Sequence, residues 1–207
     1  MTAARLCEAR GVDARPRCAK SDVMKIMLTS ALLFSPVLAL ACPPVPDTSE
    51  RMAELVAQAN AAETEMAGSD IGREMWEIWA DAPDQQAQAI LDRGMSKRSG
   101  YDFLGAIADF ETLIEYCPDY AEGYNQRAFA YFLSGAYEKA LVDLDRTLEL
   151  RPDHVAARAG RALSLMQLGR LEEARTDLRA ALELNPWLSE RALLAPGGPL
   201  EPPGDDI

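Results

Sequence analysis

The sequence predicts an all-α protein built from stacked antiparallel helix pairs, and three observations predict it. Pro118, Pro152 and Pro186 follow one another at intervals of 34 residues. Small residues recur at fixed offsets before each of these prolines, and so do apolar residues. Self-similarity at a period of this length is typical of repeat proteins, in which each unit buries its apolar face against the next.

Each period is predicted to form a helix, a short turn and a second helix. A small residue lies 24 residues before each proline and an alanine lies 12 before it, as close helix approach requires. Apolar residues lie 15 and 8 before it, as expected of interior positions. Glycine interrupts the pattern between the two halves. The recurring residues are Gly94, Ala128, Ala162; Ala106, Ala140, Ala174; Phe103, Tyr137, Leu171; Phe110, Leu144, Leu178; and the interrupting Gly100, Gly135, Gly169.

The second period carries the fullest pattern, at Tyr124, Ala128, Tyr131, Ala140, Leu144 and Pro152. With its period of 34 residues, this pattern resembles the tetratricopeptide repeat (TPR) family. The resemblance implies a right-handed TPR solenoid of stacked antiparallel helix pairs with a C-terminal capping helix. It covers three repeats, at 87–120, 121–154 and 155–188. The departures from the family pattern are Ile90, Lys97, Arg158 and Leu165.

The flanks of the repeats are predicted to differ from one another. Residues 49–86 are expected to form an N-terminal helix pair, a degenerate repeat in which Trp76, Trp79 and Pro83 stand near the family's places. Residues 189–195 are predicted to cap the array. Residues 196–207 contain Pro and Gly at high density and predict a disordered tail. Residues 42–48 are Pro-rich and predict an extended spacer.

An export signal is predicted at residues 24–41. Met24-Lys25 precede an uncharged apolar run that ends in Ala39-Leu40-Ala41, which is the architecture of a signal peptide. A membrane-spanning helix is the rival interpretation, but the run is near the minimum length for a bilayer. Residues 1–23 are then an unstructured basic extension or a mis-assigned start. The sequence therefore predicts a periplasmic or secreted protein.

Two cysteines leave further alternatives open. Cys42 would be the first residue after cleavage, which is the position that carries the lipid in bacterial lipoproteins, so an outer-membrane lipoprotein is the alternative location. Cys117 ends a predicted second helix. A disulfide between them is one interpretation. A free thiol or a lipidated Cys42 is favoured over it, because Cys42 lies far from the repeats in sequence.

Composition excludes several classes of function. The net charge of −12 disfavours nucleic acid, because phosphate binding needs clustered Lys and Arg. A single histidine, His154, and cysteines without ligand spacing predict no metal site and no cofactor. The same shortage leaves the usual catalytic sets without an imidazole or paired thiols, so no catalytic residue is predicted and the protein is not expected to be an enzyme.

Charged residues also recur with the period. An arginine lies 25 residues before each proline and an aspartate nine before it, so each pair is 16 residues apart. This spacing places the arginine on the first helix and the aspartate on the second. A charge that repeats in every unit favours an architectural ion pair over a site that is built once. The predicted pairs are Arg93 with Asp109, Arg127 with Asp143, and Arg161 with Asp177.

By resemblance, the ligand surface of such a solenoid is the concave face formed by the first helices. The residues that the resemblance places there are Leu91, Met95, Arg98, Asn125, Phe129, Phe132, Leu163 and Met166, with Gln88, Glu122, Ala156 and Ala159 beside them. The rival interpretation is that the large apolar members pack between helices, Phe129 above all. Relatives that clamp an acidic terminus use Lys, Arg and Asn, whereas the matching places here are Leu91, Met95, Gln126, Ala156 and Gly160.

These features together predict an exported TPR protein-interaction module, an adaptor or scaffold with a mostly apolar peptide-binding groove. Its partner is expected to be a protein or peptide and not nucleic acid. A membrane is a partner only if Cys42 is lipidated. The alternative is a lipid-anchored structural subunit of an envelope assembly.

Overall fold

The computed structural model describes residues 41–202. The predicted extension at 1–23, nearly all of the predicted signal peptide and the last five residues of the predicted tail lie outside that range. Within it the chain forms helices and no strand, and none of these helices has both the length and the apolarity to span a bilayer. The helices are α1 Ser49–Ala61, α2 Glu65–Ala80, α3 Gln85–Ser99, α4 Phe103–Tyr116, α5 Ala121–Leu133, α6 Tyr137–Leu150, α7 Val155–Gln167 and α8 Leu171–Leu184, followed by a 3₁₀ helix at Ser189–Leu194.

Helices α3–α8 form three consecutive antiparallel pairs that pack on one another in chain order. The recurring small residues lie where the helices cross, and Ala106, Ala140 and Ala174 are fully buried. At Gly94 an added Cβ would lie 2.4 Å from the Phe110 ring, so only glycine fits there. The predicted all-α TPR solenoid is confirmed for these residues.

Local sequence signals set the helix ends. The side chain of Asp84 accepts a hydrogen bond from the Ala87 N–H at 2.8 Å, and Asp102 does the same for Gly105 at 2.9 Å. Such acceptors satisfy amides that have no partner inside the helix. Gly135 and Gly169 have φ values of 77° and 75° after α5 and α7, where the chain must enter the left-handed region to turn back.

The solenoid has two long edges. The loop edge consists of the loops that join one pair to the next or to the cap, at 117–120, 151–154 and 185–188. The turn edge consists of the turns inside each pair, at 100–102, 134–136 and 168–170. Antiparallel pairing places all three loops at one edge and all three turns at the other.

The N-terminal helix pair is present, but it is not a degenerate repeat stacked on α3. Helices α1 and α2 pack together and lie across the loop edge, reaching α5 and α8. Arg151 Nη1 donates to Thr48 Oγ1 at 2.9 Å, and Trp187 Nε1 donates to the Ala59 carbonyl at 3.0 Å. The chain thus runs out along the loops through α1 and returns through α2.

Apolar packing explains why the helix pair takes this position. Met52, Leu55 and Met75 are almost completely buried in a cluster that includes Val155 and is bordered by Leu184 and Leu188. Burying each such side chain contributes roughly 1.5–3 kcal/mol. The apolar stripe of the helix pair is therefore covered by the last repeat instead of the first. The boundary between its helices lies at residues 62–64.

Residues 42–48, predicted as an extended spacer, and residues 196–202 of the predicted disordered tail are both packed against the repeats, which corrects the prediction. Cys42 and Cys117 form a disulfide with a Cα–Cα distance of 5.2 Å, and Val45 packs against the first repeat, so residues 42–48 are not a free spacer. At the other end, Leu200 is fully buried and its carbonyl accepts from Arg175 Nε at 3.0 Å. The predicted tail is thus ordered through residue 202.

Candidate functional site

A groove of about 300 Å³ lies on the concave face. Helices α5 and α7 supply Phe129, Phe132 and Leu163 to its lining, and Leu144 of α6 also contributes. Trp76 of α2 and Leu188 beyond α8 also line it. The helix pair at the N-terminus and the C-terminal cap therefore narrow a face that the repeats alone would leave open.

Five of the eight predicted groove residues line this cavity. They are Arg98, Asn125, Phe129, Phe132 and Leu163. Met95 lines an adjoining cavity instead. Two predictions are wrong. Leu91 is fully buried in the core of the first repeat, and Met166 packs against the cluster around Leu178.

The two phenylalanines of the groove differ in exposure. Phe129, for which packing between helices was the rival interpretation, is 45% exposed. Phe132 is half-buried, with its ring centroid 5.5 Å from that of Tyr137 in an edge-on arrangement. Phe129 is therefore the aromatic side chain that a ligand could cover without disturbing the fold.

Arg98 covers one end of the groove. Its guanidinium lies 4.5 Å from the centroid of the Phe129 ring and donates a hydrogen bond to Gln126. Burial lowers the pKa of Arg98, and the negative charge of Glu122 partly offsets this effect. The side chain is held by two partners and forms part of the groove wall.

A buried polar cluster lies beneath the groove, and sequence reasoning missed it. Glu122, predicted to face the groove, is 1% exposed and accepts hydrogen bonds from Asn125 at 3.1 Å and Gln126 at 2.5 Å. His154 is fully buried, with Nε2 2.9 Å from Glu122 Oε2. Its Nδ1 accepts from the Ala157 N–H at 3.2 Å, which assigns the ring proton to Nε2.

This cluster joins the groove to the N-terminal helices. The indole of Trp79 stacks on the His154 ring with centroids 4.1 Å apart. Tyr120 donates its hydroxyl hydrogen to the Trp79 carbonyl at 2.7 Å, and burial raises the pKa of Tyr120. No periodic signal marks the contacts of His154 with Glu122 and Trp79, because each occurs once and joins residues 32 and 75 apart.

The structure places each recurring arginine beside the aspartate of its own repeat. Arg127 Nε and Nη2 lie 2.8 and 2.7 Å from the two oxygens of Asp143, and Arg161 binds Asp177 through two bonds in the same way. Arg93 Nη2 lies 2.8 Å from Asp109. Each pair bridges the first and second helix of one repeat and lies outside the groove lining.

Asp109 differs from the other two aspartates because it has a second cation. Lys97 Nζ lies 2.7 Å from its Oδ2. Burial alone would raise the pKa of Asp109, but the hydrogen bonds from Arg93 and Lys97 outweigh it and lower the pKa. Lys97, where the family favours an aromatic residue, therefore has a defined role as a partner of this carboxylate.

Residues 41–202 contain no group of three or more His, Cys, Asp or Glu side chains placed to hold an ion.

The sequence favoured a free thiol or a lipidated Cys42 over a disulfide, and that preference was wrong. Cys42 and Cys117 pair with each other, and the Cys42 sulfur is therefore unavailable to a lipid.

Comparisons with known proteins agree with this architecture. Two tetratricopeptide repeat family models match, at residues 121–154 and 143–186. No curated protein sequence matches the chain. Among solved structures, the first TPR domain of Spaghetti (RPAP3), bound to the HSP90 peptide SRMEEVD, is 25% identical with a TM-score of 0.51, over 53% of this chain and 87% of that one.

Two further solved structures are similar. The second TPR domain of human RPAP3, in complex with the HSP70 peptide SGPTIEEVD, is 28% identical with a TM-score of 0.50, over 52% of this chain and 89% of that one. The Arabidopsis OM64 TPR domain is 22% identical with a TM-score of 0.51, over 53% and 90%, and shows the fold alone. With the 34-residue period and the three stacked helix pairs, these matches show that the chain is a tetratricopeptide repeat protein.

Proposed function

We propose that this chain is an exported protein-interaction module whose concave groove binds a segment of a partner protein. The observation that carries the proposal is the groove of about 300 Å³, lined by the half-exposed Phe129 and Trp76. Partly exposed aromatic side chains in a concave surface are typical anchors of protein interfaces. The similar RPAP3 domains were solved with bound peptides, which supports a peptide partner.

The peptides bound to those domains end in acidic residues, and this groove is not suited to that ligand. At the places where relatives carry the clamp, Leu91 is buried in the core and Gln126 is bonded to Glu122 and Arg98. Ala156 and Gly160 provide no charge. The proposed partner segment is therefore recognised through apolar contacts.

Export is supported by the predicted signal at residues 24–41 and by the disulfide. Disulfides persist in oxidising compartments such as the periplasm. The disulfide also argues against the lipid-anchored alternative, because a thioether to lipid requires the same Cys42 sulfur. N-terminal sequencing of the mature protein tests the proposal, which expects Cys42 as the first residue. Retention of residues 26–41 would contradict it.

The groove is tested by Phe129→Ala, with Leu133→Ala as the matched control on the same helix. The two side chains are exposed to 45% and 42%, but only Phe129 lines the groove. Loss of a true anchor costs about 2 kcal/mol of binding free energy. Phe129→Ala should therefore weaken binding of a partner protein, identified beforehand by cross-linking, about 30-fold. Leu133→Ala should leave affinity unchanged. Equal effects of both variants would contradict a groove site.

A further inference from the structure

A second cavity adjoins the groove, and its lining is acidic. It is open, has a volume of about 500 Å³ and lies between α2 and α3. Trp76 lines both cavities, so the indole stands where one meets the other. We name this second cavity the acidic mouth. Its charged lining residues are Glu74, Glu77, Asp81 and Asp92, and its apolar ones include Ile78 and Met95.

The carboxylates of the acidic mouth are incompletely neutralised. Glu74 pairs with Arg51, which does not line the cavity, and Asp92 accepts only from the Gln88 amide at 2.9 Å. Glu77 and Asp81 form no ion pair with any residue in 41–202. Carboxylates that share a surface repel one another, and a bound cation relieves that repulsion. The mouth therefore favours a positively charged side chain.

The nearest guanidinium of the groove does not supply that charge. Arg98 lines the groove and not the acidic mouth, and it stacks on Phe129 and donates to Gln126. Among the described residues, Glu190 is the other charged side chain that lines the groove. The linings of the groove and the acidic mouth together thus contain five carboxylates and one guanidinium.

We propose that the groove and the acidic mouth together bind a cationic amphipathic segment of a partner protein. The proposal rests on the proposed function and names the chemical class of its partner. Apolar side chains of the segment seat against Phe129 and Trp76, and Lys or Arg side chains enter the acidic mouth. An acidic segment would bring its carboxylates close to those of the acidic mouth. The resulting repulsion disfavours acidic partners.

Synthetic peptides test this selection with the full chain. The first probe is a short peptide that carries Leu and Phe residues followed by lysines. In the second, every Lys is replaced by Glu, and in the third every Leu and Phe is replaced by Ser. Fluorescence anisotropy should show binding of the first peptide, weakening with salt, and at least tenfold weaker binding of the other two.

Charge-removing variants locate the cation. Glu77→Gln combined with Asp92→Asn should lower the affinity for the lysine peptide by a factor of roughly ten. Each exposed ion pair contributes up to about a factor of five to the affinity. Glu138→Gln combined with Glu149→Gln removes the same charge from α6 at two positions that line neither cavity, and should leave affinity within a factor of about two.

The outcomes separate the two proposals. Equal affinity for the lysine and glutamate peptides, or equal weakening by the α6 control, would overturn the charge selection and leave the groove as a peptide site. The first two peptides both carry Leu and Phe. If neither of them binds, and Phe129→Ala does not affect capture of the natural partner, the proposed function itself is overturned.

Discussion

The two long edges of the solenoid are built by different means. At the loop edge, the buried side chains of His154 and Tyr120 bind partners 32 and 41 residues away in sequence, and the N-terminal helices cover them. At the turn edge, Tyr101 and Leu104 are each 82% exposed, and glycine conformation shapes two of the turns. The loop edge depends on tertiary contacts, whereas the turn edge depends on the local backbone.

The largest effect is expected from the disulfide at the loop edge. It joins residues 75 apart, and constraining an unfolded loop of that size contributes about 4 kcal/mol. Cys42→Ser with Cys117→Ser should lower the free energy of unfolding by that amount, measured by urea denaturation. Wild-type protein in reductant should match the double variant, and reductant should not affect the variant. A double variant as stable as the oxidised protein would show that the N-terminal segment is held by packing alone.

The next effect is expected from His154→Leu. Leucine neither donates to Glu122 nor accepts from the Ala157 N–H, so it leaves two buried groups short of a partner. The expected loss is about 2–3 kcal/mol in the free energy of unfolding. Ser134→Ala is the control at the turn edge, where the hydroxyl donates to the Tyr131 carbonyl but is exposed. A loss as small as that of the control would mean that the loop edge tolerates change as the turn edge does.

A smaller effect is expected midway between the edges, from Arg127 and Asp143. Their side chains are 19% and 6% exposed and share two hydrogen bonds, so the coupling should exceed that of a surface pair. A double-mutant cycle with Arg127→Ala and Asp143→Ala should give about 1–2 kcal/mol. The exposed pair Arg146 and Glu149 should give no measurable coupling in the same experiment. Coupling of equal size in both cycles would contradict a role for burial.

The smallest effect is expected from Gly135→Ala at the turn edge. Gly135 has φ 77° and nothing within 4 Å of an added Cβ, so only backbone strain opposes alanine. The expected loss is about 1 kcal/mol. Gly100→Ala, at the equivalent turn but with φ −82°, should be close to neutral. If both variants are neutral, the turns are not set by glycine conformation.

Periodicity explains what could be predicted from the sequence. Repeated contacts leave repeated residues, so the helix pairs, the small-residue contacts such as Gly94 with Phe110, and the arginine–aspartate spacing were readable. The groove was predicted in part because first helices share a face. Leu91 and Met166 were wrongly assigned to the groove. Which face of a helix points into the core depends on the helices that pack against it.

Contacts made once could not be predicted in this way. The position of α1 and α2 depends on which partner covers their apolar stripe. One such contact is Trp187 against Gly68, where an added Cβ would lie 2.0 Å from the indole. The Glu122–His154 contact is also made once, since neither residue type recurs at the corresponding position of another repeat. Trp76 lines the groove from outside the three repeats, and their 34-residue period does not predict that contact.

The course of the N-terminal helices also sets an order of events during synthesis. Residues 49–80 leave the ribosome before the repeats, but the indole of Trp187 that binds the Ala59 carbonyl is made 128 residues later. Each repeat packs on the next one, so the array can grow in chain order. The N-terminal helices, in contrast, complete their contacts only after the last repeat and Trp187 have been made.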